Sequence, residues 1–226
     1  LAVASLIIAL ARPRHGEKEI TETRAGIEIM IAVDVSRSML ASSTDDAKGI
    51  SRLDRAKFLF NKLINSLEND KVGLVVFAGN SSLQLPITND FVSAKIYIND
   101  LSTSMINEQG TDIGAAIDMA LQGFSSDEDV NRAIILLTDA EDHEEQAVAV
   151  ADKARQAGVQ VNVIGVGTAK GALIPIGNGS SEFLKDETGT PVTTRFNADA
   201  ARKIAESGSG NYINGNDADA DQQMVK

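Results

Sequence analysis

Four short, dominantly apolar runs pace this chain: residues 27–33 (IEIMIAV), 72–78 (VGLVVFA), 133–137 (AIILL) and 159–166 (VQVNVIGV). A strand with one wet face alternates apolar and polar positions, whereas a run with little polar face has to be buried on both sides. Between the runs the apolar period lengthens from two to roughly 3.6. Leu53, Ala56, Phe60, Leu63, Ile64 and Leu67 share one helical face, and so do Ile113, Ala116, Ile117, Ala120, Leu121 and Phe124, the cleanest amphipathic pattern in the sequence. Apolar strands alternating with such helices dictate a doubly wound α/β fold, a mostly parallel central sheet with helices on both faces.

The remaining segments fit around that frame. Residues 41–51 read as a polar loop. Asn80 and Ser81 turn the chain back into residues 83–85, and Pro86 suits an antiparallel edge strand, where no ladder donor is required. Residues 91–101 and 144–157 read as helices, the second ended by Gly158. Residues 171–196 break the rhythm and read as a hairpin-like insertion with turns near 177–179 and 187–189. Asn197 caps a short helix through Ser207, residues 211–213 make a last strand, and the polar tail beyond it is expected to fray.

Composition narrows the chemistry. The net charge is −11, from 32 acidic and 21 basic residues in 226, which sets the chain against phosphate backbones and excludes nucleic acid as a partner. With no cysteine there is no disulfide, zinc–thiolate site or cysteine nucleophile. The two histidines, His15 and His143, lie far apart. A metal held here would therefore be held by oxygen, which points to hard cations: magnesium, manganese or calcium.

Residues 1–11 (LAVASLIIALA) are uniformly apolar and run straight into Arg12, Pro13 and Arg14. A membrane span needs about 20 residues, so residues 1–14 read as the end of a transmembrane helix and 15–25 as a linker. A short buried helix or the end of a signal peptide would look similar.

Open parallel sheets bind ligands beyond the carboxyl ends of their strands. Three groups of polar residues fall at that edge. Asp34, Ser36 and Ser38 follow the first run as D-x-S-x-S, Asp139 follows the third, and Thr111, within Gln109-Gly110-Thr111-Asp112, precedes the cleanest helix. A carboxylate and several hydroxyls can converge on one hard cation, with Asp139 orienting a bound water. Hydroxyls leave the ion incompletely neutralised and open to a carboxylate from outside.

In this order the five residues resemble the metal-ion-dependent adhesion site of von Willebrand factor type A domains, and the likeness extends over residues 26–215, leaving 216–226 as a polar tail. The stretches GIEIMIAVDVSRSML, VGLVVFAG, LQLPIT, QGTDIGAAID and LLTDAEDHE are similar to the Bat aerotolerance branch of that family. The resemblance implies a Rossmann-like fold, a protein-binding function and anchorage in a bacterial inner membrane. It also implies other Bat proteins and a MoxR-type AAA+ ATPase as partners, and a periplasmic domain, although Arg12 and Arg14 alone would favour the cytoplasmic side. Two positions depart from the family pattern. Arg37 stands where Gly is common, and Ala140 replaces the Gly that often follows the last Asp, so the local turn is expected to differ.

Blander readings stand beside these. Thr111 could be the N-cap of the following helix and Asp112 a first-turn residue. Glu141, Asp142, Glu144 and Glu145 read as helix-dipole complements on a solvated face, or else as a negative rim beside the ion; His143 reads as an exposed helix residue. Residues 186–190 (DETGT) read as a turn. Two rival functions use the same ion: a metal-assisted hydrolase, for which Asp139 is the one evident base, and a scaffold whose ion only stiffens loops.

Overall fold

The computed structural model describes residues 26–126, 130–141, 144–177, 180–217 and 220–223. Strand β1 (Glu28–Asp34) leads through a 3-10 turn (Arg37–Leu40) to helix α1 (Arg52–Ser66); β2 (Lys71–Phe77) and β3 (Ser81–Thr88) precede α2 (Phe91–Asn99) and α3 (Ile113–Gly123). Then come β4 (Arg132–Thr138), α4 (Glu144–Gln156), β5 (Val159–Gly165), the short strands β6 (Ala172–Leu173) and β7 (Thr193–Thr194), α5 (Ala198–Ser207), β8 (Ser209–Asn214) and α6 (Ala220–Gln223). The six-stranded sheet has the order β3-β2-β1-β4-β5-β8, with β3 antiparallel at one edge and the other pairings parallel.

Each expected strand and helix forms within a few residues of its sequence pattern. Because strand side chains alternate, Ile29, Ile31 and Val33 of β1 enter one core with Leu59, Phe60, Leu63 and Ile98 of α1 and α2. Met30 and Ala32 enter the other core with Ile113 and Ile117 of α3, Ala147 and Ala151 of α4 and Ile204 of α5. Every residue of β1 is buried, as a central parallel strand requires. The edge strand is longer than its apolar residues suggest, because Ser81 and Ser82 also pair with Phe77 and Val76.

Capping chemistry fixes the helix starts. Ser51, Asp90 and Asn197 accept the amides of Asp54, Ser93 and Ala200. Gly158 has a φ of 77°, the left-handed conformation that ends α4 without Cβ strain. The 171–196 insertion forms β6–β7, with bridges from Pro175 to Phe183 and from Lys185 to Pro191. Its DETGT segment is a turn in which Asp186 accepts the amides of Thr188 and Thr190.

The start of the tail departs from the expected fraying. Arg55 donates to the Gly215 carbonyl at 2.6 Å, and Asn216 Nδ2 donates to the carbonyls of Ser43 and Gly167, both at 2.7 Å. Among the described residues no helix is long and apolar enough to cross a membrane; the expected membrane helix and linker, residues 1–25, lie outside them.

At the opposite edge from the candidate ligands, Glu28 is fully buried. Burial alone would raise its pKa, but hydrogen bonds from Ser125 and Lys71 outweigh that and hold the carboxyl below its ordinary value. A depressed carboxylate stabilises the fold above its unfolded pKa, and that contribution disappears as pH falls through the folded value. Urea unfolding followed from neutral pH to below 4.5, the ordinary value, should therefore show a smaller acid loss for Glu28→Gln than for the wild type.

Candidate metal-binding site

The carboxyl ends of β1 and β4 adjoin because the two strands are parallel neighbours, with Val33 opposite Leu137. Asp34 and Asp139 leave the sheet there, both with no exposed surface. Asp34 Oδ1 accepts the Ser36 amide at 2.8 Å, and Asp34 Oδ2 accepts the Thr138 hydroxyl at 2.7 Å. The hydroxyls of Ser36 and Ser38 lie 2.8 Å apart, Ser36 buried and Ser38 half-buried. Thus D-x-S-x-S curls back on its own carboxylate through Ser36, with Ser38 joined to Ser36.

The carboxylates have different electrostatic surroundings. Asp139 forms a fully buried ion pair with Arg52, whose Nη1 donates to Oδ2. Arg52 also donates through Nη1 to the Thr194 hydroxyl at 2.9 Å and through Nη2 to the Thr194 carbonyl at 3.2 Å. Thr194 in turn donates its hydroxyl to Glu141 Oε2. Among the described residues no basic side chain pairs with Asp34. Burial and the neighbouring Asp139 charge push its pKa up to about 7, against the pull of the Ser36 and Thr138 hydrogen bonds.

Thr111 reaches the same edge on another loop. The Asp112 amide bonds the Ala78 carbonyl at 2.7 Å and the Gly79 amide bonds the Glu108 carbonyl at 3.1 Å, tying that loop to the end of β2. A Cβ on Gly79 would sit 2.6 Å from the Gln109 carbonyl, so only glycine permits this approach. The N-cap of α3 is Asp112, which accepts the Ala115 amide at 2.7 Å, and not Thr111. Thr111 instead lines an open cleft of about 560 Å³ with Gly79, Gly110, Asp112, Glu141, Gln146 and Asn197. No hydrogen bond joins it to Asp34, Ser36 or Ser38 among the described residues.

Ala140 takes the turn that glycine would, with a φ of 53°. Its amide bonds the Thr138 hydroxyl at 3.0 Å and the Glu141 amide bonds Asp139 Oδ1 at 3.2 Å, so the left-handed residue is pinned from both sides. Arg37 is exposed on the 3-10 turn. Glu141 is more than a helix-dipole complement, because it receives Thr194 and forms one wall of the cleft. Asp142 and His143 lie outside the described residues.

Sequence reasoning missed Arg52, Thr138 and Thr194. One signal pointed to Arg52: a cation in the first turn of a helix opposes the dipole and therefore calls for a partner elsewhere. Thr194 offers no comparable signal.

The model of the von Willebrand factor type A domain matches residues 29–141. An aerotolerance-related membrane protein from Bacteroides fragilis, solved with multiple mutations to serine, is 46% identical, with 88% of this chain and 96% of that chain covered and a TM-score of 0.82. BatB from Bacteroides thetaiotaomicron is 43% identical over 88% of this chain and 95% of its own, also with a TM-score of 0.82. A Borreliella burgdorferi protein is 33% identical over 177 residues, 75% of this chain and 49% of the relative, so the chain spans about half of that protein's length.

Gly167 supplies the space for Arg52. Its φ is 129°, and a Cβ there would lie 2.8 Å from Arg52 Nε and 3.1 Å from Phe196 Cβ. Gly189 has a φ of 81° with nothing within 4 Å of where a Cβ would stand, and so shows the cost of a positive φ without crowding. Gly189→Ala should lose about 1 kcal/mol and Gly167→Ala roughly 2 kcal/mol or more in urea unfolding. Equal losses would mean that Arg52 tolerates displacement.

Proposed function

The chain belongs to the von Willebrand factor type A domain family, and from that membership we propose that it is a protein-binding module that captures an acidic side chain of its partner through one divalent cation. The observation that carries this reading is the unequal compensation of the two buried carboxylates. Asp139 has Arg52, while Asp34 has only hydrogen-bond donors. A cation beside Asp34 relieves the cost of a buried, unpaired charge.

The donor set suits a hard ion. Among the described residues no cluster of three or more His, Cys, Asp or Glu could enclose a metal, so an ion here depends on hydroxyl oxygens. Asp34, Ser36, Ser38 and Thr111 would hold magnesium, manganese or calcium, with Asp139 acting through water. The bound ion supplies a positive charge that attracts and orients an outside carboxylate. The chain's own residues do the rest: Ser36 N and Thr138 Oγ1 aim the Asp34 carboxylate, and the 560 Å³ cleft beside Thr111 admits the partner.

Metal-assisted hydrolysis is less well supported. It asks Asp139 to act as a base, yet Oδ2 is engaged by Arg52 and Oδ1 by the Glu141 amide. The Bacteroides fragilis neighbour is an aerotolerance-related membrane protein, which supports a membrane setting; the inner membrane, with the domain facing the periplasm, is the location we propose. Other Bat-like proteins and a MoxR-type AAA+ ATPase are the partners we propose.

Isothermal titration with magnesium chloride tests the ion, and crosslinked pull-down from membranes with and without chelator tests capture. Asp34→Ala and Ser36→Ala should each abolish magnesium uptake and partner recovery together. A partner retained by the metal-free variants would leave the ion a purely structural role.

A further inference from the structure

Among the described residues Arg52 is the largest side chain that is completely buried. Its guanidinium spends Nη1 on Asp139 and Thr194 and Nη2 on the Thr194 carbonyl, while Nε is buried with no hydrogen-bond partner among the described residues. Such a group is costly to keep. A well-packed apolar pair in place of a buried ion pair is often neutral or stabilising, so packing alone gives weak reason for it.

Charge counting at the sheet edge suggests what it does. With both carboxylates ionised around a bound dication, Asp34 and Asp139 contribute two negative charges and Arg52 one positive charge, a net charge of −1 among the buried groups. A dication bound there stays one positive charge in excess. Without Arg52 the two carboxylates would balance the ion completely, and Asp139 Oδ2 would be released toward it. The result would be a closed structural site with little attraction for an outside acid.

We propose that Arg52 is the positioning residue that sets ligand choice at this site, acting as an internal counter-cation that holds Asp139 away from the ion and so reserves the ion's residual charge for a carboxylate from the partner. This rests on the ion reading above. Arg52 touches neither the ion nor the partner; it works through Asp139. Its second hold, on the hydroxyl and carbonyl of Thr194 in β7, ties the guanidinium to a different segment, so Arg52 cannot simply follow Asp139 if the carboxylate swings. The anchor lies 142 positions away in sequence.

The test uses the whole chain, magnesium as the metal probe and acetate as the carboxylate probe, read by isothermal titration and by the magnesium-induced shift in melting temperature. Arg52→Met leaves two uncompensated carboxylates. It should bind magnesium at least about tenfold more tightly than the wild type, since one unit charge across a few ångströms of protein exceeds ~1.4 kcal/mol. It should also show a larger magnesium-induced thermal shift and bind acetate at least about tenfold more weakly when loaded. Arg52→Lys keeps the charge and should behave like the wild type in acetate binding.

Arg52→Gln, which removes the charge while keeping a hydrogen-bonding side chain, serves where Arg52→Met does not fold and should change both affinities in the same directions. A folded charge-neutral variant with unchanged or weaker magnesium affinity, or with unchanged acetate affinity when loaded, would overturn the proposal. A wild-type protein that takes up no magnesium would instead overturn the ion reading itself.

Discussion

β1 and β4 run side by side in parallel register, and the candidate site follows from that pairing. Residue-for-residue alignment from Glu28 opposite Arg132 to Val33 opposite Leu137 delivers Asp34, Thr138 and Asp139 to one edge at one height. A slip of one position would send Asp34 to the opposite face of the sheet, because strand side chains alternate. What prevents the slip is burial on both faces: Ile29, Ile31 and Val33 are committed to one core and Met30 and Ala32 to the other. The packing of apolar side chains thus sets the position of two charges.

Those charges are then handled in different ways. Asp139 is satisfied within the protein, by Arg52 on one oxygen and the Glu141 amide on the other. Among the described residues Asp34 is met by neutral donors, including the Ser36 amide and the Thr138 hydroxyl. A fold selected for stability alone would have little use for either carboxylate in a fully buried place. Two buried acids, with one basic partner between them, are intelligible when a further positive charge visits the edge from outside.

Much of this was legible in the sequence because it depends on local pattern. The four apolar runs announced β1, β2, β4 and β5, and Asn197 and Gly158 announced a helix start and a helix end. The D-x-S-x-S loop is likewise local, and it folds onto Asp34 through Ser36 as its spacing suggests. Thr111 was ambiguous in sequence because Thr and Asp both cap helices; only the bond from Ala115 N to Asp112 decides between them. Arg52 was harder to read for a different reason. Its place in the first turn of a helix calls for a partner without saying which, and the groups that bury it, Asp139, Thr194 and Gly167, come from three distant segments.

Thr194 also gives the 171–196 insertion a place in the site. From sequence the segment was an excursion interrupting the strand–helix rhythm, with no evident tie to the candidate metal ligands. In the fold, its strand β7 binds Arg52 through both the hydroxyl and the carbonyl of Thr194, and that hydroxyl passes on to Glu141 at the wall of the cleft. Asp139, Arg52, Thr194 and Glu141 therefore form one continuous set of hydrogen bonds from the buried carboxylate to the surface that a partner would meet. Two ends of such a set cannot be altered independently. A partner that displaced Glu141 would disturb the donors around Asp139, and a change in the charge near Asp139 would alter the wall on which Glu141 stands. By reciprocity any coupling between the two has the same magnitude in both directions, which gives the insertion a physical reason to be packed here rather than at another strand end.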